Sequence, residues 1–331
     1  MLLKTLVTET HDPYFNLALE EYLLDSLQPS ECILYLWQNA NTVVIGRNQN
    51  AYKECRVEKL LADGGILARR SSGGGSVYHD LGNLNFTFLA QEQDYNVQRQ
   101  LSVITQALEQ YGVQAYATGR NDISVDQRKV SGNAFFTRGQ RCCHHGTILV
   151  NVDVAKMEEY LAPAADKLRG NSAESVRSRV ANLTEYKPDM DIIGLRTALL
   201  HTFETVYESK AQSIRLASFD SQLLAALKEK YASPEWVYGR NIQADYSCNY
   251  RFPWGGIEFT FTIRGESIAD VQVFSDALDA DSIETMARRL MGVPFRRGAV
   301  LDALNAGAGA AADPQLLADV SAWMGKLEIW S

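Results

Sequence analysis

Three consecutive glycines, Gly73-Gly74-Gly75, constrain this chain more than any other feature. They stand in Arg69-Arg70-Ser71-Ser72-Gly73-Gly74-Gly75-Ser76-Val77-Tyr78-His79-Asp80. One strand-like stretch ends at Arg69-Arg70, and a second runs over 76–79. Without Cβ atoms, three successive residues let a ligand approach their N–H groups, which can bind an anion. Two arginines precede the glycines and two hydroxyls lie between, which joins positive charge to an anion-binding backbone. The bland alternative is a mobile surface loop, and the strands on both sides argue against it. It is not a Walker loop, because the chain has no G-x-x-x-x-G-K-[ST].

The elements around this run set the fold class. Asp12-Pro13 caps and opens a helix, with Phe15, Leu19, Tyr22 and Leu23 on its buried face. Strands are expected over 33–37, 42–45, 83–90, 113–117, 122–125, 129–130 and 147–151. Helices are expected over 51–62, 97–111, 155–161, 192–207 and 218–231. Asp126-Gln127 fits a two-residue hairpin turn, although Gln is a weaker turn residue than Gly. No regular βαβ rhythm is present, which favours α+β over a doubly wound sheet. After residue 245 an alternating strand over 257–263, a turn at 265–267 and a returning strand over 268–274 precede three helices, at about 281–291, 298–305 and 314–325. That pattern divides the chain into 1–245 and a smaller unit over 246–331. Gly307-Ala308-Gly309 is no dinucleotide fingerprint, because no strand precedes it.

Composition excludes several function classes. With 331 residues, 32 basic and 40 acidic, the formal charge is −8. An acidic chain argues against general nucleic-acid binding. No run of 18 apolar residues predicts a membrane helix, and the N-terminus lacks the apolar core of a signal peptide. The five cysteines form no C-x-x-C pair. Reduced thiols in the cytoplasm are therefore expected.

Two further segments carry candidate chemistry. In 119–132 (GRNDISVDQRKVSG) Lys129 sits on an expected strand, with Arg128 pointing to the other face. A solvated lysine is the default for such a position. Asn121, Asp122 and Ser131 make its company unusually polar. Asp122 either holds Mg²⁺ through phosphates or caps a turn. Cys142-Cys143-His144-His145 invites a metal reading, but adjacent histidines diverge on a strand and no second half-site follows. Arg177 and Arg179 share a strand face, and solvation accounts for them.

Taken in order, RRSSGGGSVYHD, GRNDISVDQRKVSGNAF, HHGTILVN and SVRSRVANLTE resemble the lipoate–protein ligase A family. Asn16-Leu17-Ala18-Leu19-Glu20-Glu21 and the later RFPWGGIEFTF extend the resemblance over nearly the whole chain. It implies a large mixed-sheet catalytic domain of the biotin/lipoate ligase type and a small C-terminal α+β accessory domain. It also implies a two-step reaction. Lipoate and ATP, with Mg²⁺, give lipoyl-adenylate and pyrophosphate. The lipoyl group then passes to a lysine of a lipoyl domain, in a 2-oxo acid dehydrogenase subunit or the glycine-cleavage H protein.

By the same resemblance Lys129 is catalytic and contacts both substrates. Arg70, Gly75, Ser76, Val77 and Tyr78 contact ATP, and Ser72, Gly73, Gly74 and His79 contact lipoate. A monomer is expected. A carboxylate approaching a phosphate at about 4 Å meets repulsion of roughly 4 kcal/mol at an effective dielectric of 20, so fixed positive charge is needed. Val43 and Val77 are expected to line an apolar trough. Two other readings are a cysteine-dependent octanoyl or lipoyl transferase using Cys142 or Cys143, and a non-catalytic lipoate-binding protein.

Overall fold

The computed structural model describes residues 1–118, 121–161, 179–240, 242–306 and 312–330. Gly119-Arg120, the 162–178 stretch with Arg177, and Gly307-Ala308-Gly309 lie outside the described residues. Chain order begins β1 (Leu2–Val7), α1 (Pro13–Ser26), β2 (Glu31–Trp37), β3 (Thr42–Ile45), α2 (Ala51–Glu54), α3 (Val57–Ala62), β4 (Ile66–Arg69), β5 (Val77–His79) and β6 (Asn83–Gln91). It continues through α4 (Val97–Glu109), β7 (Tyr116–Thr118), β8 (Asp122–Val125), β9 (Arg128–Arg138), β10 (Arg141–Leu149) and α5 (Val154–Tyr160). Then come α6 (Ile192–Tyr207), β11 (Ala211–Ser213), α7 (Ser221–Ala232) and α8 (Pro234–Val237).

Eight strands form one sheet in the order β11-β1-β2-β6-β10-β9-β8-β7. β1 runs parallel to β2 and β11, and the other pairs are antiparallel. A small sheet, β4-β3-β5, lies apart from it. The α+β reading therefore holds. Both faces of the large sheet are covered. On β2, Leu34 and Leu36 enter a core with Phe86, Phe88, Ile104 and Phe203, while Ile33, Tyr35 and Trp37 enter another with Leu17, Leu23 and Tyr231. A strand buried on both faces reads as a continuous apolar run, and so β2 does.

Helix α1 begins as expected: Asp12 Oδ1 accepts from the N–H groups of Tyr14 and Phe15, and Pro13 opens the helix. The expected single buried face is too narrow. Asn16, Glu20 and Glu21 are also buried, because α1 is wedged between the sheet and α7. The expected helix over 51–62 is two helices, broken where Cys55 turns extended and bridges to Leu161. β9 and β10 are far longer than expected and form a hairpin around Gly139 (φ 61°), so Cys142–His145 lie on a strand. The Asp126-Gln127 turn is present, with both residues left-handed (φ 48° and 65°).

The final segment has its own sheet, β12 (Tyr246–Phe252), β13 (Gly255–Arg264) and β14 (Ser267–Ser275), all antiparallel. Helices α9 (Ala280–Leu290), α10 (Arg297–Asn305) and α11 (Pro314–Met324) cover one face. Alternation along β13 places Ile257, Phe259 and Phe261 in a core with Ile283, Met286 and Val320. Strand β12 was not anticipated, because its apolar residues are diluted by Ser247, Asn249 and Arg251. This unit touches the first at Ser275 N–H to the Asn48 carbonyl (2.8 Å) and at the Arg47–Glu284 ion pair (2.8 Å).

Candidate active site

A pocket of about 130 Å³ opens between the small sheet and the β9–β10 hairpin. Leu17, Trp37, Val44 and Val77 supply apolar wall, and Lys129 and Asn121 stand at its mouth. Its floor carries His79, Asn85 and His145. Among the residues expected there, Arg70, Gly74, Gly75, Ser76, Val77, His79 and Lys129 do line it. Ser72 and Gly73 do not, and neither do Val43 and Tyr78. The latter two pair across β3 and β5 with their side chains on the opposite face, in the core that also holds Tyr160. Val44 takes the place expected of Val43, as alternation along a strand requires. Tyr78 is left to offer backbone only, its hydroxyl being bound to Asn41 Oδ1 (3.1 Å).

The glycine loop is held from beneath. Arg70 is buried and donates to Ser72 Oγ (3.0 Å) and to the carbonyls of Val44 (3.3 Å), Gly73 (2.6 Å) and Gly75 (2.8 Å). Its guanidinium thus organises the loop, rather than extending free toward a nucleotide. Arg69 similarly binds the carbonyls of Gly46, Gln49 and Val237. Burial lowers both arginines to about 10, so both stay charged at neutral pH. Gly74 adopts φ 90°, a conformation that disfavours any side chain. Its N–H donates to the Ala277 carbonyl (2.8 Å), and a Cβ on Gly73 would stand 2.3 Å from that same oxygen. The second unit therefore sits directly on the loop.

Lys129 Nζ pairs with Asp122 Oδ1 at 2.7 Å, each side chain about one third exposed. Arg128 turns away to Glu185 (2.7 Å) and the Val180 carbonyl, as strand alternation requires. The floor is organised by a residue that sequence reasoning missed as a site group, Glu20. His145 donates Nδ1–H to its carboxylate (2.9 Å), Thr87 Oγ1 donates to the same group (2.6 Å), and Trp37 Nε1 donates to Thr87 Oγ1 (3.0 Å). Ser72 Oγ and His145 Nε2 stand 2.7 Å apart. Ser72 therefore supports the floor from behind and does not itself line the pocket.

His144 points the other way, to Gln100 and Asn133, and burial lowers it to about 3. Glu20, Cys143 and His145 bring donor atoms within 4.8 Å of one another. The Glu20 and His145 atoms are already bonded, and burial pushes the Cys143 thiol well up, so the trio fits a hydrogen-bonded floor better than a metal centre. Cys142 is also raised by burial. Neither thiol lines the pocket, which removes the geometric basis for a cysteine nucleophile. Among the described residues, no helix is long and apolar enough to cross a membrane.

The comparisons with known proteins agree with this geometry. Residues 12–204 match the lipoyl protein ligase A/B catalytic domain, and residues 241–315 match the bacterial lipoate protein ligase C-terminus. A lipoate-protein ligase A from Bdellovibrio bacteriovorus is 37% identical over 98% of both chains. The structure of Plasmodium falciparum LipL1 in complex with lipoate aligns with a TM-score of 0.86 at 27% identity, covering 98% of this chain and all of that one. A lipoate-protein ligase A bound with ATP aligns at 0.63 and 28% identity, over 72% of this chain and 99% of that one. The bipartite Thermoplasma acidophilum ligase, described with its E2 lipoyl domain, aligns at 0.65 and 29% identity, over 74% of this chain and all of that one. A pocket with a lysine at its mouth, under a triple-glycine loop, and a match along nearly the whole chain lead to one conclusion: this chain belongs to the lipoate–protein ligase A family.

Proposed function

We propose that this ligase works in two steps, activating free lipoate with ATP to lipoyl-adenylate and then passing the lipoyl group to a protein lysine. The observation that carries the reading is Lys129. Its ammonium stands where an apolar-walled pocket meets the glycine loop, so one cation can face a carboxylate from the pocket and a phosphate from the loop. Bridging both anions aligns them and offsets their repulsion. Gly75, Ser76 and Val77 would take the nucleotide, while Gly74 and His79 would take the lipoyl side, with Ser72 and Gly73 shaping the loop.

Asp122 is the carboxylate at the mouth. One carboxylate with phosphate oxygens suits Mg²⁺, which would neutralise the phosphates once Lys129 turns to substrate. In the second step the acceptor lysine is the nucleophile, so no enzyme thiol is required. Acceptors would be lipoyl domains of 2-oxo acid dehydrogenase subunits and the H protein, met by a monomer in the cytoplasm. The unit from about residue 246 onward would move off the loop between steps.

The test is pyrophosphate release with lipoate, with and without ATP, followed by the mass shift of a lipoyl domain. Release that needs both substrates, then lipoylation of one lysine, is expected. ATP-independent transfer through a thioester on Cys142 or Cys143 would overturn the reading.

A further inference from the structure

Among the described residues lining the pocket, one buried side-chain polar atom has no hydrogen-bond partner: His79 Nε2. The residue is 3% exposed. Its neighbours on the floor are satisfied, since Glu20, Thr87, Trp37, His145 and Ser72 bond to one another. A desolvated orphan in a ligand pocket invites a partner from the ligand.

A chain of amides anchored on backbone carbonyls fixes which atom carries the ring proton. Asn16 Nδ2 donates to the carbonyls of Thr10 (3.2 Å) and Gln38 (2.8 Å), which sets the orientation of that amide. The same nitrogen donates to Asn39 Oδ1 (3.0 Å). Asn39 Nδ2 is thereby the group that faces His79 Nδ1 (3.2 Å), so Nδ1 accepts and Nε2 bears the hydrogen. Burial, helped by the nearby Arg70 charge, lowers His79 to about 3 and keeps the ring neutral at physiological pH.

The position of this donor follows from the strand register. Lys129 Nζ lies against Gly132 on β9, where a Cβ would stand 2.7 Å from it. Gly132 N–H donates to Thr147 Oγ1 on the hairpin's other strand (3.3 Å), and Thr147 pairs with Asn85 on β6. Asn85 Nδ2 lies 3.5 Å from His79 Nδ1. Two strand spacings, about 10 Å, thus separate Gly132, beside the lysine, from Asn85, beside the histidine. A lipoyl chain whose carboxylate meets Lys129 would run across the strands and bring its dithiolane ring to His79.

We propose that His79 is a specificity-determining residue, donating its Nε2–H to a dithiolane sulfur and so favouring lipoate over straight-chain octanoate. The inference rests on the proposed lipoate-activating function. Octanoate would place a methyl group at the same point and leave the buried donor unpaired. Sulfur is a weak acceptor, so the discrimination is modest, a factor of roughly 3–10.

Two variants separate the donor from the ring. His79→Asn keeps an acceptor for Asn39 and deletes the distal donor. His79→Gln returns an amide N–H near the Nε2 position. The measurement is kcat/KM for pyrophosphate release with each acid, on the full chain. Wild type should prefer lipoate, the lipoate-to-octanoate ratio should fall roughly 3–10-fold in His79→Asn, and His79→Gln should restore it. An unchanged ratio in a folded His79→Asn protein overturns the inference. Should that variant not fold, equal protection of wild type from thermal unfolding by the two acids at the same concentration overturns it instead. Wild type that releases no pyrophosphate with either acid would refute the proposed function itself, which is a different result.

Discussion

The floor and the mouth of the pocket are built on opposite principles. On the floor, Glu20, His145, Thr87 and Trp37 are buried and bonded to one another. At the mouth, Lys129 and Asp122 form a single pair whose side chains are each about one third exposed. Exposed pairs are worth little and exchange partners easily, whereas a buried network is rigid because breaking it strands polar groups. Under the proposed function the floor would recognise shape and the mouth would rearrange, with Lys129 leaving Asp122 for substrate.

The largest effect should come from the mouth without touching stability. Lys129→Ala should lower lipoate-dependent pyrophosphate release by roughly 10²–10³, as removal of a transition-state donor does elsewhere, with an unchanged melting temperature. Near-normal release would place the chemistry at another cation. Glu20→Ala reverses the pattern. Stranding the His145 and Thr87 donors should cost roughly 2–3 kcal/mol, read as a lower urea midpoint, and would show that the floor bears structure first.

Acidification offers a gentler probe of the interior. His79 and His144 sit at about 3 when folded, below the usual value of about 6.5. Between those values the unfolded chain binds protons that the folded chain refuses. Stability present at pH 7 is therefore lost as pH falls from about 6.5 toward about 3, by up to roughly 1.4 kcal/mol per pH unit for each histidine. Urea midpoints at pH 6.5 and 5.5 should differ accordingly, and His144→Gln should flatten the slope. The smallest effect is expected from Cys142→Ser with Cys143→Ala, which should leave ligation within about two-fold, since neither thiol lines the pocket. Loss of transfer in a folded double variant would return a cysteine to the mechanism.

Much of the site was legible because its parts are local. The triple glycine and the divergence of His144 and His145 follow from spacing and strand alternation, whereas Lys129 stood out only by its polar neighbours and the family resemblance. The floor was not legible, because Glu20 joins it from a helix 125 positions away from His145, and nothing in a helical repeat marks a buried carboxylate as partnered. Arg70 was readable as important, but its turn inward to carbonyls depends on how the loop folds over it. Gly74 was readable as ligand-facing, yet its left-handed φ makes even a small side chain costly to the fold itself. Long β9 and β10 were shortened by reading, since Cys142-Cys143-His144-His145 carries chemistry-like residues where a strand usually shows apolar ones.

The Gly74 N–H, a donor an incoming anion would want, is already committed to the Ala277 carbonyl. An anion that takes this donor must displace the second unit from the loop. By reciprocity, whatever lifts that unit strengthens the anion's hold by the same factor, and a tenfold coupling is about 1.4 kcal/mol. Occupancy at the loop would then tighten one body of the molecule while freeing the other. Calorimetry with saturating lipoate, whose carboxylate would be the anion on the Gly74 side, would show this as a single transition splitting in two, with the C-terminal body melting first.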